Sequence, residues 1–181
     1  MPNVIHDKCD RLFALYDTDG NGRLDHTDVE LMVGRILAGS NVPADSPKAA
    51  SVRADYDAWW KALLDHADDN GDGVITQDEF RAAMTGLSPD DPAIKSTARK
   101  AVDAAFTAMD SDDDDQIPVA ALVAMFTRGG VREDDAAEAA RVFDLNGDGT
   151  ITREEYATAW LEFFATEDPD APASRILGKL S

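Results

Sequence analysis

The sequence predicts an all-α fold, in which four helix-loop-helix units form two pairs packed into one compact globule, with a short two-residue β pairing between the loops of each pair. Three observations predict it. A twelve-residue acidic pattern occurs four times: DTDGNGRLDHTD from Asp17, DDNGDGVITQDE from Asp68, DSDDDDQIPVAA from Asp110 and DLNGDGTITREE from Asp144. Each copy is flanked on both sides by segments whose apolar residues recur at helical spacing. The chain has 181 residues, 44% of them apolar, enough for one sizeable core or two small ones sharing an interface.

The first unit runs from VIHDKCDRLFALY (4–16) through its loop to HTDVELMVGRILA (26–38). Cys9 lies on the same helical face as Ile5, Leu12, Phe13 and Tyr16 and reads as a buried structural thiol; as the only cysteine it excludes an intrachain disulfide. The breaker GSNVPADSP (39–47) ends this unit. The second runs from PKAASVRADYDAWWKALLDHA (47–67) to QDEFRAAMTGL (77–87), and GLSPDDP (86–92) ends it. The third runs from PAIKSTARKAVDAAFTAM (92–109) to PVAALVAMFTR (118–128), where Pro118 can begin a helix without its missing N–H, and RGG (128–130) follows. The fourth runs from EDDAAEAARVF (133–143) to REEYATAWLEFFA (153–165). The expected organisation is an N-terminal pair over 1–87, a C-terminal pair over 88–167 and a tail over 168–181 that packs on the globule through Ile176, Leu177 and Leu180. A single unit cannot bury its apolar face, so Leu24 should face Ile75 and Ile117 should face Ile151.

The loop chemistry is that of a hard cation. Calcium takes six to eight oxygens, and a twelve-residue loop supplies them from positions 1, 3 and 5, the carbonyl of 7, position 9 and an acid at 12, with glycine at 6 for the turn. The second loop meets each requirement with Asp68, Asn70, Asp72, Gly73, the Val74 carbonyl, Thr76 and Glu79. The fourth does so with Asp144, Asn146, Asp148, Gly149, the Thr150 carbonyl, Thr152 and Glu155. The first has Asp17, Asp19, Asn21, Gly22, the Arg23 carbonyl and Asp25 in register but ends in Asp28. A carboxylate one methylene shorter offers one oxygen instead of two or requires a helix to move closer, which makes this the least calcium-selective loop and the one most open to magnesium. The third loop keeps Asp110, Asp112 and Asp114, yet Asp115 stands where glycine turns freely and Ala121 brings no oxygen to position 12. Three calcium ions are therefore expected, with the third unit retained as the partner that holds the fourth.

These four units resemble the EF-hand superfamily. The unequal loop starts, 51, 42 and 34 residues apart, the Asp28 ending, three sound loops beside a defective one, and the C-terminal tail are similar to the sarcoplasmic calcium-binding proteins and their bacterial relatives of the calerythrin type. The resemblance implies a compact globule with its halves face to face, acting mainly as a calcium buffer or carrier.

Composition sets the remaining expectations. The 36 acids, 28 of them Asp, against 17 bases give a charge of −19, which favours cations as partners and disfavours nucleic acid and anionic membrane. No apolar run approaches the ~18 residues of a membrane span, and the N-terminus lacks a signal-peptide pattern, so a soluble, cytoplasmic monomer is expected. No nucleophile motif, phosphate loop or zinc-type site supports an enzyme. The aromatic residues Phe13, Tyr16, Tyr56, Trp59, Trp60, Phe80, Phe106, Phe126, Phe143, Tyr156, Trp160, Phe163 and Phe164 read as internal core. The five methionines are spread over different units instead of forming a groove. The alternative is a calcium sensor that exposes an apolar groove to an unidentified protein target. An apolar-ligand carrier is a third reading; His6, His26 and His66 read as ordinary surface or packing residues.

Overall fold

Eight helices follow the apolar spacing of the sequence closely. In the computed structural model, which describes residues 4–85, 92–128 and 132–177, they are α1 (Val4–Tyr16), α2 (His26–Gly39), α3 (Pro47–Ala67), α4 (Gln77–Thr85), α5 (Pro92–Met109), α6 (Val119–Arg128), α7 (Glu133–Phe143) and α8 (Arg153–Ala165). A 3-10 turn at Pro172–Arg175 follows. The expected breaker at 86–91, the 87/88 boundary within it, the glycines at 129–130 and Leu180 lie outside the described residues. Local chemistry sets several ends. Ser46 caps α3 by accepting from the Ala49 amide, with Pro47 in the first turn where its missing N–H costs nothing. Asn41 ends α2 in the left-handed region (φ 56°), while the Val42 amide donates back to the Leu37 carbonyl.

Two antiparallel strand pairs join the loops. β1 (Arg23–Leu24) pairs with β2 (Ile75–Thr76), placing Leu24 opposite Ile75, and β3 (Gln116–Pro118) pairs with β4 (Thr150–Thr152), placing Ile117 opposite Ile151. All four apolar partners are 1% exposed or less, as expected from position 8 of each loop. The second ladder is three residues long instead of two, and Pro118 does not begin the helix as the sequence suggested. It ends β3 opposite Thr150, at the rim of a two-stranded ladder where a proline's lack of a donor is tolerated. The helix starts one residue later, and the Val119 amide donates to the Gly149 carbonyl.

The core has two lobes that merge. Phe13, Tyr56, Trp59, Trp60, Leu63 and Phe80 fill the first, and Phe106, Leu122, Phe143, Tyr156 and Phe163 fill the second. Trp160, Phe164 and Leu177 pack against both. The long α3 runs antiparallel to α5 in the most extensive helix contact of the fold. Beyond α8, Ala173 and Ser174 are fully buried and Ile176 is 5% exposed. Tyr16, Tyr56 and Tyr156 meet near the centre, where burial pushes the phenols up, Tyr156 to about 12. Cys9 is buried and its thiol is pushed up to about 11, mainly by desolvation, which leaves it structural and unreactive.

Lys8 joins the two ends of the chain. Its ammonium is buried and donates to the carbonyls of Phe163 and Thr166, 2.7 Å each, at the end of α8, where carbonyls lack helical partners. It also lies 4.9 Å over the Phe163 ring. Burial lowers its pKa from 10.5 to about 8, against the opposing fields of Asp168 and Glu162. The folded chain therefore releases this proton before the unfolded chain does. Stability gains from this group as pH rises from about 8 to 10.5, at a slope of up to about 1.4 kcal/mol per pH unit. The raised Cys9 and tyrosine groups oppose this slope equally in wild type and in Lys8→Met, so in urea unfolding at fixed calcium the difference between the two should carry it; parallel pH dependences would contradict it.

Candidate metal centres

All four loops fold around their first aspartate. Asp17 accepts from the amides of Asn21 (3.0 Å) and Gly22 (2.9 Å), and Asp110 accepts from those of Asp114 (3.2 Å) and Asp115 (3.1 Å). Asp68 accepts from the amides of Gly71, Asp72 and Gly73, and Asp144 from those of Gly147, Asp148 and Gly149. Five-residue wrapping of this kind curls the chain so that positions 1, 3 and 5 point inward.

The last ligand position is where the loops diverge. Asp28 is 2% exposed; one carboxylate oxygen accepts from the amides of Thr18 (2.8 Å) and Asp19 (3.2 Å), and the other from that of Asp25 (3.0 Å). Its short side chain thus reaches fully across the loop. Glu79 accepts from the Asn70 side-chain amide (2.9 Å) with one oxygen and from the amide and hydroxyl of Thr76 with the other. Glu155 accepts from the Asn146 amide (3.3 Å) and from the amide and hydroxyl of Thr152. Ala121 has nothing equivalent to offer.

The carboxyl oxygens of Asp17, Asp19 and Asp28 lie within 4.8 Å of one another, as do those of Asp110, Asp112 and Asp114; these are the two such groups of acids among the described residues. The second and fourth loops form no such trio and have Asn70 and Asn146 at the third position; Asp72 and Asp148 accept from the amides of Val74 (3.0 Å) and Thr150 (2.8 Å), as Asp114 does from that of Gln116 (2.9 Å). Asp25 accepts from the Thr27 amide at 2.6 Å and caps α2. Arg23 and Thr150 lie on paired strands and Val74 immediately before one, which fixes the backbone at the seventh position of each loop. The donor set of the first, second and fourth loops is all oxygen, hard and anionic, and fits a calcium-sized cation.

Hydrogen bonds hold several of these acids in the charged form. The Thr27 hydroxyl and amide lower the Asp25 pKa, the Thr76 amide and hydroxyl lower that of Glu79, and the Thr150 hydroxyl and amide lower that of Asp148. A cation would meet carboxylates already ionised.

Two features escaped the sequence reading. Positions 9 and 12 form a capping box for the exiting helix, with Asp25 and Asp28 at α2 and Thr152 and Glu155 at α8, a pattern visible as D-x-x-D and T-x-x-E. Position 4 adopts positive φ in every loop, at Gly20, Gly71, Asp113 and Gly147, so the glycine requirement is double.

A family model of the EF-hand domain pair matches residues 7–85 and 99–161. Calerythrin of Saccharopolyspora erythraea is 24% identical over 162 residues, spanning 88% of this chain and 92% of that protein. The structure of a calcium-binding protein of Streptomyces coelicolor is 32% identical, with 89% of this chain and 98% of that one covered and a TM-score of 0.77. A sarcoplasmic calcium-binding protein from amphioxus, 18% identical with 98% and 97% covered, shares the fold at a TM-score of 0.74. Four loops wrapped on a leading aspartate, paired through Leu24 with Ile75 and Ile117 with Ile151, give that match its physical content, and the chain belongs to the EF-hand family of calcium-binding proteins.

Proposed function

We propose that the protein is a calcium buffer that loads three ions, at the first, second and fourth loops. The observation that carries this reading is the carboxylate at position 12: Asp28, Glu79 and Glu155 each reach across their loop, and Ala121 cannot. The ligand set is Asp17, Asp19, Asn21, the Arg23 carbonyl and Asp28 in the first loop, with Asp25 acting from the cap position. In the second it is Asp68, Asn70, Asp72, the Val74 carbonyl and Glu79. In the fourth it is Asp144, Asn146, Asp148, the Thr150 carbonyl and Glu155. Magnesium competes best at the first loop, where the shorter Asp28 favours a smaller coordination number. The chain works as two pairs, 1–87 and 88–167, plugged by the segment 168–181.

Buffering over sensing is supported by the filled interior. A sensor needs a groove that opens to a target, whereas here Leu177 packs against both lobes together with Trp160 and Phe164, and Ile176 is buried in the second. One observation favours a calcium-responsive regulator as second reading: the Streptomyces coelicolor protein, 32% identical, is the structural basis of a prokaryotic calcium-mediated regulation. An apolar carrier is disfavoured by size. The cavity lined by Leu12, Tyr16, Trp59, His66, Met84 and Phe164 holds about 50 Å3, against roughly 300–1,000 Å3 for ordinary ligand pockets.

Calorimetric titration should count three calcium ions in wild type and two in each of Glu79→Ala and Glu155→Ala, with magnesium most competitive at the event that both variants keep. Three ions in either variant, or a fourth tight event in wild type, would contradict the assignment.

Clustered acids in the ion-free loops repel, so calcium binding adds its free energy to folding. One ion at a thousandfold excess over its Kd contributes about 4 kcal/mol, or roughly 8–16 °C in Tm for a chain of this size. A melting temperature indifferent to saturating calcium would sink this. An apolar dye should bind no better with calcium than without; a marked calcium-dependent rise would transfer the reading to the regulator.

A further inference from the structure

The two aspartates that replace glycine in the third loop are the two that meet protein cations. Asp113 and Asp115 hold φ of 60° and 61°, at positions 4 and 6, where every other loop has glycine. Their side chains turn away from the loop centre. Asp113 accepts from Lys48 Nζ at 2.6 Å, and the same ammonium donates to the backbone carbonyl of Asp110. Asp115 accepts from Arg153 Nε at 2.9 Å. The Arg153 guanidinium also donates to Thr107 Oγ1 (3.2 Å) and lies 4.5 Å over the Phe106 ring.

The origins of these cations matter. Lys48 stands in the first turn of α3, in the other half of the chain, and Arg153 opens α8, two residues beyond Ile151. The third loop is therefore gripped from the N-terminal half on one side and from the exiting helix of the fourth loop on the other. Its strand β3 pairs with β4, which carries Thr150 and Thr152 of the fourth loop. The other three loops are closed from within by their own twelfth-position acid; this one is closed from outside.

We propose that Lys48 is a positioning residue for calcium at the fourth loop: with Arg153 it holds the third loop in shape without a divalent ion, and the β3–β4 ladder passes that shape to the ligand-bearing strand. The inference rests on the reading that the fourth loop binds calcium and the third does not. The hydrogen bonds of Lys48 go to the third loop, to Asp110 and Asp113. Its effect travels through Asp110, Asp113, Ile117 and Ile151.

The test is calcium calorimetry on the full chain as wild type, Lys48→Met, Lys48→Arg, Glu155→Ala and the double variant Lys48→Met/Glu155→Ala. Lys48→Met should weaken one binding event by about tenfold, within the usual range of site-to-site coupling. That event should be the one Glu155→Ala removes, Lys48→Arg should restore most of it, and in the Glu155→Ala background Lys48→Met should change neither remaining event. If Lys48→Met does not fold, Asp113→Asn removes the same ion pair at an exposed residue and carries the same expectation. Equal weakening of all events would mean a merely structural role and overturn the proposal, as would affinities within twofold of wild type. If Glu155→Ala removes no event, the underlying assignment of the fourth loop fails instead, which is a different result from either.

Discussion

An acid placed three residues into the exiting helix governs how each loop is built. Because that position is also N3 of the helix, Asp28, Glu79 and Glu155 accept an amide at the helix start while reaching back to donors near the loop start. One side chain thereby ties the two ends of a twelve-residue turn. Where Ala121 stands instead, neither tie exists, although the helix still begins at the tenth loop position as in the other three loops. What differs is that Asp113 and Asp115 are bound by Lys48 and Arg153.

The ladders matter because they make the loops interdependent. Leu24, Ile75, Ile117 and Ile151 have almost no exposed surface, so each loop's shape is transmitted to its neighbour through a fully packed contact. The same logic extends across the halves. α3 lies along α5, Trp160 and Phe164 belong to both lobes, and Lys8 fastens α1, which leads into the first loop, to the last carbonyls of α8, which leaves the fourth. Such a body gives little freedom for one pair to open alone.

The fold was legible in the sequence because the repeat unit carries its own helix signals and its own pairing residue. Every helix, and the pairing of Leu24 with Ile75 and of Ile117 with Ile151, follows from local pattern. Pro118 was misread because its missing N–H suits a helix start and a ladder end equally well, and only the partner strand decides. Asp25 was legible as a loop acid but not as a cap. Lys48 was invisible: nothing local distinguishes a lysine at the start of a long helix, and its significance depends on α3 lying antiparallel to α5. Arg153 is similar, since its partners Phe106, Thr107 and Asp115 come from another unit.

Charge and packing together are what the proposed buffer reading rests on. One carboxylate oxygen from each of Asp17, Asp19 and Asp28 lies within 4.8 Å of the others, a repulsion that backbone amides and the Asn21 side-chain amide offset in the absence of a cation. In a sensor, calcium binding swings the helices of a pair apart and exposes a groove. Here Leu177 packs against both lobes, Ile176 is buried in the second, and Arg11 donates to the Leu177 carbonyl at 3.2 Å, holding the tail to α1. Opening would have to expose the buried junction of both lobes at once, at about 25 cal/mol per Å2 of apolar surface. On the proposed buffer reading, ion binding is expressed as stability instead of as a new surface, which is the physical distinction between a store of calcium and a reporter of it.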